Sequence, residues 1–368
     1  VRKVMKICRI LLLAVLLPGI SGWTTAQAGT VSVHIQIKRH SAEQWQVNWE
    51  FSQPVEAFRV YPPNLGFRSR SWSLDEEVFT LEETGDGAVI SSSGKMFDTL
   101  SVRFKTDSDF DPKTYVPVLP YSDGGAAIYT GHFSGDFLEK GEWHAVPSTF
   151  GLQGLSGENT LLPDWTTDLN PTYVYFGPQE AVESDQVVMI ADEQMPSWLY
   201  ETFSGSVPAV TAVFSDRLGF RLERKPLVFI AAGELDEIDG YSVKGAGLDS
   251  QFTVMIRGKA LHIGSREREM MFQKMLAHEV LHTWQKAMPG GEFNPEQSWL
   301  HEGSADALAV HALATAGLWS AEEVEAFHLE QQTTCNESLG DSELADAGAA
   351  GNWTAIYACG YLEFTNNI

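Results

Sequence analysis

The stretch Met275–Gln285, MLAHEVLHTWQ, constrains this chain more than any other. It contains His278-Glu279-Val280-Leu281-His282, an HExxH pattern. On a helix, positions i and i+4 stand one turn apart on one face. The spacing therefore sets both imidazoles where one zinc ion can bind them. Glu279 follows the first histidine directly, so its carboxylate can reach a water activated by the metal rather than the metal itself. The flanking residues predict a helix over Arg266–Met288, ended by Pro289-Gly290-Gly291. Phe272, Met275, Leu276 and Val280 form one apolar arc, and Met270, Ala277 and Leu281 make the opposite side apolar too. A helix apolar nearly all round is a buried one. Two histidines and a glutamate on such a helix need partners, because burying these groups unpaired is costly.

A second segment offers the missing ligand. In Trp299-Leu300-His301-Glu302-Gly303, Glu302 lies twenty residues after His282. Glu302 completes a two-His, one-Glu set with an open fourth position, the catalytic arrangement for zinc. Asp306 falls one helical turn later, where it can accept a hydrogen bond from a ligating histidine and fix its tautomer. The bland alternative is a helix that carries HExxH by chance. Glu302 and Asp306 at these distances favour a metal site with one Zn2+ per chain.

HEVLH followed by WLHEGSAD resembles the gluzincin (thermolysin-like) zinc metallopeptidases. The Trp-Leu-x-Glu-Gly form is most similar to the aminopeptidase N and glycyl aminopeptidase type. The resemblance implies that His278, His282 and Glu302 bind the metal, Glu279 is the general base and Asp306 supports a ligand. A metzincin is excluded locally, since Gln285 and Met288 stand where that pattern needs Gly and His. Gly247-Leu248-Asp249 is similar to the Gly-Leu-Glu stretch of glycyl aminopeptidases. That likeness implies a substrate-binding role for Gly247 and Asp249. Asp249, one methylene shorter, stands in place of the glutamate that holds a free α-amine; a plain turn aspartate is the alternative. Tyr357-Ala358-Cys359-Gly360 resembles the family's Tyr-x-x-Gly, which implies that Tyr357 donates to the oxyanion; a core aromatic is the alternative. Cys359 occupies the family's usual lysine position.

Arg2, Lys3, Lys6 and Arg9 precede and enter an apolar run, Ile10–Leu17, that ends at Pro18-Gly19, and Ala26-Gln27-Ala28 is a small-residue cleavage pattern. Residues 1–28 thus read as a secretory signal peptide, too short in its apolar part for a comfortable membrane span. The expectation is an exported protein, periplasmic or extracellular, with no stable membrane insertion after cleavage. The formal charge of the 368-residue chain is −24. Losing those four cations makes it more acidic still, which argues against nucleic acid or anionic lipid as a partner. Export leaves Cys335 and Cys359. In an oxidising compartment they read as a disulfide, although a buried free thiol at Cys359 fits its apolar surroundings as well.

Residues 29–192 read as a β-rich domain. Val31–Ile37, Gln44–Phe51 and Leu100–Phe104 alternate with period two between dense turn signals, the pattern of a β-sandwich. Tyr173–Phe176 and Gln186–Ile190 read as its last strands. Residues 193–368 read as the thermolysin-like domain. It opens with a helical stretch Trp198–Leu218 interrupted by Gly205 and Pro208, then a buried strand Pro226–Ala232. A Gly-rich turn, Gly245-Ala246-Gly247, leads into a strand Gln251–Ile256, the sheet edge that pairs with substrate backbone in gluzincins. A capping box at Ser320–Glu323 opens a helix to about Gln332, and Thr354–Phe364 is helical. Relatives carry more helices beyond this point, so the helical half is abbreviated or the sequence is a fragment.

The sequence-based expectation is an α+β protein with an N-terminal β-sandwich-like domain and a thermolysin-like catalytic domain. Its expected function is hydrolysis of peptide or protein substrates, as an aminopeptidase or an endopeptidase. The alternative from another class is a zinc-stabilised binding or assembly module without hydrolysis.

Overall fold

The computed structural model describes residues 31–41, 43–61, 66–75, 77–105, 115–162, 171–248, 250–288 and 297–365. The expected signal peptide, Asp249 and the helix stop at Pro289–Gly291 lie outside the described residues. The N-terminal part is all sheet, as its alternating patterns predict. Val33–Arg39, Trp45–Val55 and Phe97–Phe104 form the centre of one five-stranded sheet. Strands Ala57–Val60, Gly87–Ser91 and Gly135–Glu139 form the centre of another. Inward residues of both sheets share one core around Trp45, Trp49, Phe58 and Ile90. This is the sandwich that period-two burial requires.

A third sheet carries Ala126–Tyr129 and Tyr173–Gly177. Its Tyr173 and Tyr175 pack with Phe229, Ala231 and Met255 of the sheet that follows. Two polar joints secure this contact. Gln251 exchanges two hydrogen bonds with the Tyr173 backbone, at 2.7 and 2.9 Å. Buried Asp192 accepts from the backbone N–H of Ser122 (2.8 Å) and of Ala232 (3.2 Å). A carboxylate buried among donors in this way ties the segments that supply them.

The following sheet contains β1 (Val182–Glu183), β2 (Val188–Ala191), β3 (Leu227–Gly233), β4 (Ser242–Leu248) and β5 (Gln251–Arg257). Its spatial order is β1-β2-β3-β5-β4, with β2, β3 and β5 parallel and β4 antiparallel on the edge. Two expectations are corrected here. Gln186–Ile190 does not close the N-terminal sandwich, because Val188–Ala191 pairs with β3. Gly245-Ala246-Gly247 is not a turn but the middle of edge strand β4, and β5 is interior.

The helices are α1 (Ser197–Leu218), α2 (Arg266–Ala287), α3 (Ser298–Thr315), α4 (Ala321–Leu339) and α5 (Trp353–Thr365). Helix α1 runs unbroken through Gly205 and Pro208. Leu199, Phe203, Val207, Val210 and Phe214 are buried along it at spacings of three and four. Burial on both sides of the proline offsets a penalty of about 3 kcal/mol. Helix α4 starts at the expected capping box but continues to Leu339, past the expected end near Gln332.

Helices α3 and α5 cross backbone to backbone. A Cβ added at Gly303 would come within 2.4 Å of the Gly360 backbone, and one at Gly360 within 2.8 Å of the Trp299 carbonyl. Neither helix can carry a side chain there at this separation. Cys359, beside Gly360, is bonded to Cys335, so α5 is also tied to α4. Closing a loop with a separation of 24 residues contributes about 3 kcal/mol in the chain-entropy account. Gly303→Ala is expected to lower the unfolding free energy by about 2 kcal/mol or more. The measurement is a fall in urea midpoint at unchanged m-value, and an unmoved midpoint would show that the helices part without cost.

Candidate metal centre

Helix α2 begins where Ser265 accepts a hydrogen bond from the Arg268 backbone, and it buries Leu276, Ala277, Val280 and Leu281 against the sheet. That packing fixes the rotation of the helix and turns His278 and His282 toward α3. Their Nε2 atoms lie 2.9 Å apart. Glu302, on the first turns of α3, places Oε2 at 3.0 Å from His278 Nε2 and 3.6 Å from His282 Nε2. The sequence-expected ligand set is therefore brought together from two helices. Ligands about 2.0–2.1 Å from a tetrahedral zinc stand roughly 3.3 Å from one another. The three observed separations bracket that value, so these donors fit the ion.

The outer ring nitrogens decide the tautomers. His278 Nδ1 lies 2.6 Å from Asp306 Oδ1, and His282 Nδ1 lies 2.6 Å from Gln285 Oε1. Both partners are acceptors, so both Nδ1 atoms carry the proton. Gln285 is oriented by its own donations to the His301 carbonyl (2.9 Å) and Ser304 Oγ (3.0 Å). A neutral ring at each position then directs its Nε2 lone pair toward the other, 2.9 Å away, a contact that a cation between them would relieve. This tautomer is the one metal ligation requires.

The anions around the pair favour positive charge at this point, whether a proton on His278 or a metal ion carries it. Burial works against charge on His278, but hydrogen bonds to Asp306 and Glu302 raise its pKa to about 9. Burial would raise Glu302, yet hydrogen bonds to His278 and His282 hold it well below the usual carboxylate range. Asp306 is lowered against its burial by His278 and by Lys274, whose Nζ is 2.6 Å from its carboxylate. Burial first, then the charge of and hydrogen bond to Glu302, push the Tyr357 hydroxyl up, so it stays a neutral donor. Its ring centroid is 5.8 Å from that of His278. His301 stacks on His282 at 4.3 Å, and burial and that neighbour lower its pKa to about 4.

Glu279 points toward edge strand β4. A Cβ at Gly245 would lie 3.2 Å from Glu279 Oε1, and one at Gly247 3.5 Å from Oε2. The two glycines let the strand pass directly over the carboxylate, which gives Gly247 a place at the centre. Asp249 lies outside the described residues. Lys274 and Gln285 were missed from sequence. Each sits on α2 at helical spacing from a ligand, four before His278 and three after His282, and that spacing was the available signal.

The backbone matches the crystal structure of an aminopeptidase N family protein from Idiomarina loihiensis, with TM-score 0.58 and 10% identity. The match covers 91% of this chain and 65% of that one. The chain shares the fold of that aminopeptidase N family protein. The chain spans less than two thirds of that structure's length. An M1 zinc metallopeptidase from Deinococcus radiodurans aligns at TM-score 0.41 and 13% identity, over 90% of this chain and 80% of that one. Native yeast LTA4 hydrolase aligns at 0.44 and 12%, over 91% and 58%. No protein-family model matches the chain, and no curated protein matches it by sequence.

Asp306→Ala and Gln285→Ala are each expected to weaken zinc affinity about 10- to 100-fold. Competition with a chromophoric chelator measures this, and wild-type affinity in both variants would remove these residues from the support of the site.

Proposed function

We propose that this chain is an exported zinc-dependent peptidase that uses Glu279 as general base, with one zinc held by His278, His282 and Glu302. The observation that carries the reading is the convergence of two tautomer-fixed imidazoles and one carboxylate within 3.6 Å beside a carboxylate under the strand that ends the sheet among the described residues. When bound, zinc supplies Lewis acidity, which lowers the pKa of a water and polarises a carbonyl. Glu279 accepts the proton of the attacking water and returns it to the leaving amine. Edge strand β4 orients the peptide backbone by strand addition. Tyr357 shifts its hydroxyl from Glu302 to the developing oxyanion.

Export is supported by the leader pattern of residues 1–28 and by the Cys335–Cys359 bond, which suits an oxidising compartment. No helix among the described residues is long and apolar enough to cross a membrane. A peptide is the substrate class that an edge strand beside such a centre can recognise by backbone pairing. A free-amine requirement is tested by blocking the substrate's N-terminus: lost cleavage indicates an aminopeptidase, retained cleavage an endopeptidase.

Glu279→Gln is expected to keep one zinc per chain by elemental analysis while peptide hydrolysis falls by about 10²–10⁴. Turnover at the wild-type rate in that variant would sink the mechanism. Tyr357→Phe is expected to reduce kcat by about 10²–10³ with little change in KM. An unchanged kcat would return Tyr357 to the role of a core aromatic.

A further inference from the structure

The strand that passes over Glu279 has few side chains with which to anchor itself. Alternate residues of a strand share a face, so Val243, Gly245 and Gly247 of β4 point the same way. Val243 packs against the core of the helical half, but from Gly245 to Gly247 this face is bare backbone. A Cβ at Gly247 would lie 3.5 Å from Glu279 Oε2 and 3.5 Å from His282 Cβ. Glycine in a strand brings no packing and the widest backbone freedom. Pairing with β5 fixes one side of β4, and its height over α2 depends on other contacts.

Two side chains from separate elements meet at this point. Lys286, one turn beyond His282 on α2, donates from Nζ to the Gly247 carbonyl at 3.0 Å. Tyr115, in the segment that leads into the third sheet, donates from its hydroxyl to the same oxygen at 3.1 Å. The lysine ties the strand to the helix beneath it, and the tyrosine ties it to the N-terminal half.

Tyr115 is held in turn by a row of rings. Its centroid lies 5.1 Å from that of Tyr129, Tyr129 lies 5.2 Å from Tyr173, and Tyr173 lies 6.1 Å from Phe229 of β3. Tyr173 is fully buried, and its hydroxyl donates to the Val116 carbonyl at 2.7 Å, fixing the residue next to Tyr115. The Tyr129 N–H donates to the Pro117 carbonyl at 3.0 Å. Ring pairs at such distances add to the burial of their area. The row therefore carries the rigidity of an interior strand to the carbonyl beside Glu279.

We propose that Tyr115 and Lys286 are positioning residues that hold β4 over Glu279 and His282 and set the line along which a peptide backbone meets the centre. Through Tyr115, the N-terminal half takes part in aligning the substrate. The effect on turnover rests on the peptidase reading above, whereas the anchoring of the strand does not.

Tyr115→Phe keeps the row of rings and removes only the hydroxyl. Hydrogen exchange read by mass spectrometry is expected to run about fivefold faster in residues 242–248, with zinc content unchanged. KM for an internally quenched peptide is expected to rise about 3- to 10-fold, whereas a loss of folded enzyme would lower kcat at constant KM. Lys286→Met should act in the same direction, and Lys286→Arg, which restores a charged donor, should recover most of the loss. Unchanged exchange of 242–248 in both Tyr115→Phe and Lys286→Met overturns the clamp, whatever the activity. Faster exchange with an unmoved KM overturns the role in substrate alignment. Faster exchange in Tyr115→Phe, together with no cleavage of any peptide by wild type, keeps the strand anchor and overturns the peptidase.

Discussion

The contact on which the site depends is between two glycines. Gly303 and Gly360 let α3 and α5 touch backbone to backbone, and each lies within a turn of a residue of the candidate site. Glu302 precedes Gly303 directly, and Tyr357 lies one turn before Gly360. The same crossing thus fixes the depth at which a carboxylate reaches the histidines and the depth at which a phenol reaches that carboxylate. A methyl group at either position would push both helices outward. The disulfide from Cys359 to Cys335 acts beside this crossing and resists that separation from the α4 side. Packing at a point without side chains therefore governs the chemistry of neighbours that have them.

The polar groups around the histidines complete what packing begins. A buried imidazole is useful as a ligand when its tautomer and ring plane are both fixed. Asp306 and Gln285 fix them for His278 and His282 respectively, and each is in turn held, one by Lys274 and the other by the His301 carbonyl and Ser304. The arrangement is asymmetric. His278 is paired with an anion and a lysine, whereas His282 is paired with a neutral amide and a stacked neutral ring. Negative charge is thereby concentrated on the His278 side, where Glu302 and Tyr357 also approach.

Much of the fold and site was legible because it depends on local spacing. The HExxH pair, Glu302 and Asp306 are separated by helical turns and a short connection, and the structure brings these four side chains together. Period-two burial likewise gave the sandwich strands. What escaped the sequence depends on a partner distant along the chain. Gly245–Gly247 reads as a turn until Glu279 is seen beneath it, because glycine signals both a bend and a close approach. Pro208 reads as a break until the sheet that holds both halves of α1 is in place. Gln186–Ile190 is strand-like either way, and nothing local states which sheet it joins.

Helix α2 carries one further regularity that joins the centre to its surroundings. Lys274, His278, His282 and Lys286 recur every four residues. A step of four advances about 40° beyond a full turn, so this row winds by roughly a third of a turn from one lysine to the other. Its first cation consequently faces α3 and neutralises Asp306, and its last faces the sheet and caps the Gly247 carbonyl. The two histidines between them face the gap where α3 delivers Glu302. One helix, by a small mismatch between residue spacing and helical pitch, presents a supporting charge and two imidazoles to α3 and an edge-strand clamp to β4. The acidic chain thus keeps positive charge at both ends of its buried centre, inward at one and toward edge strand β4 at the other.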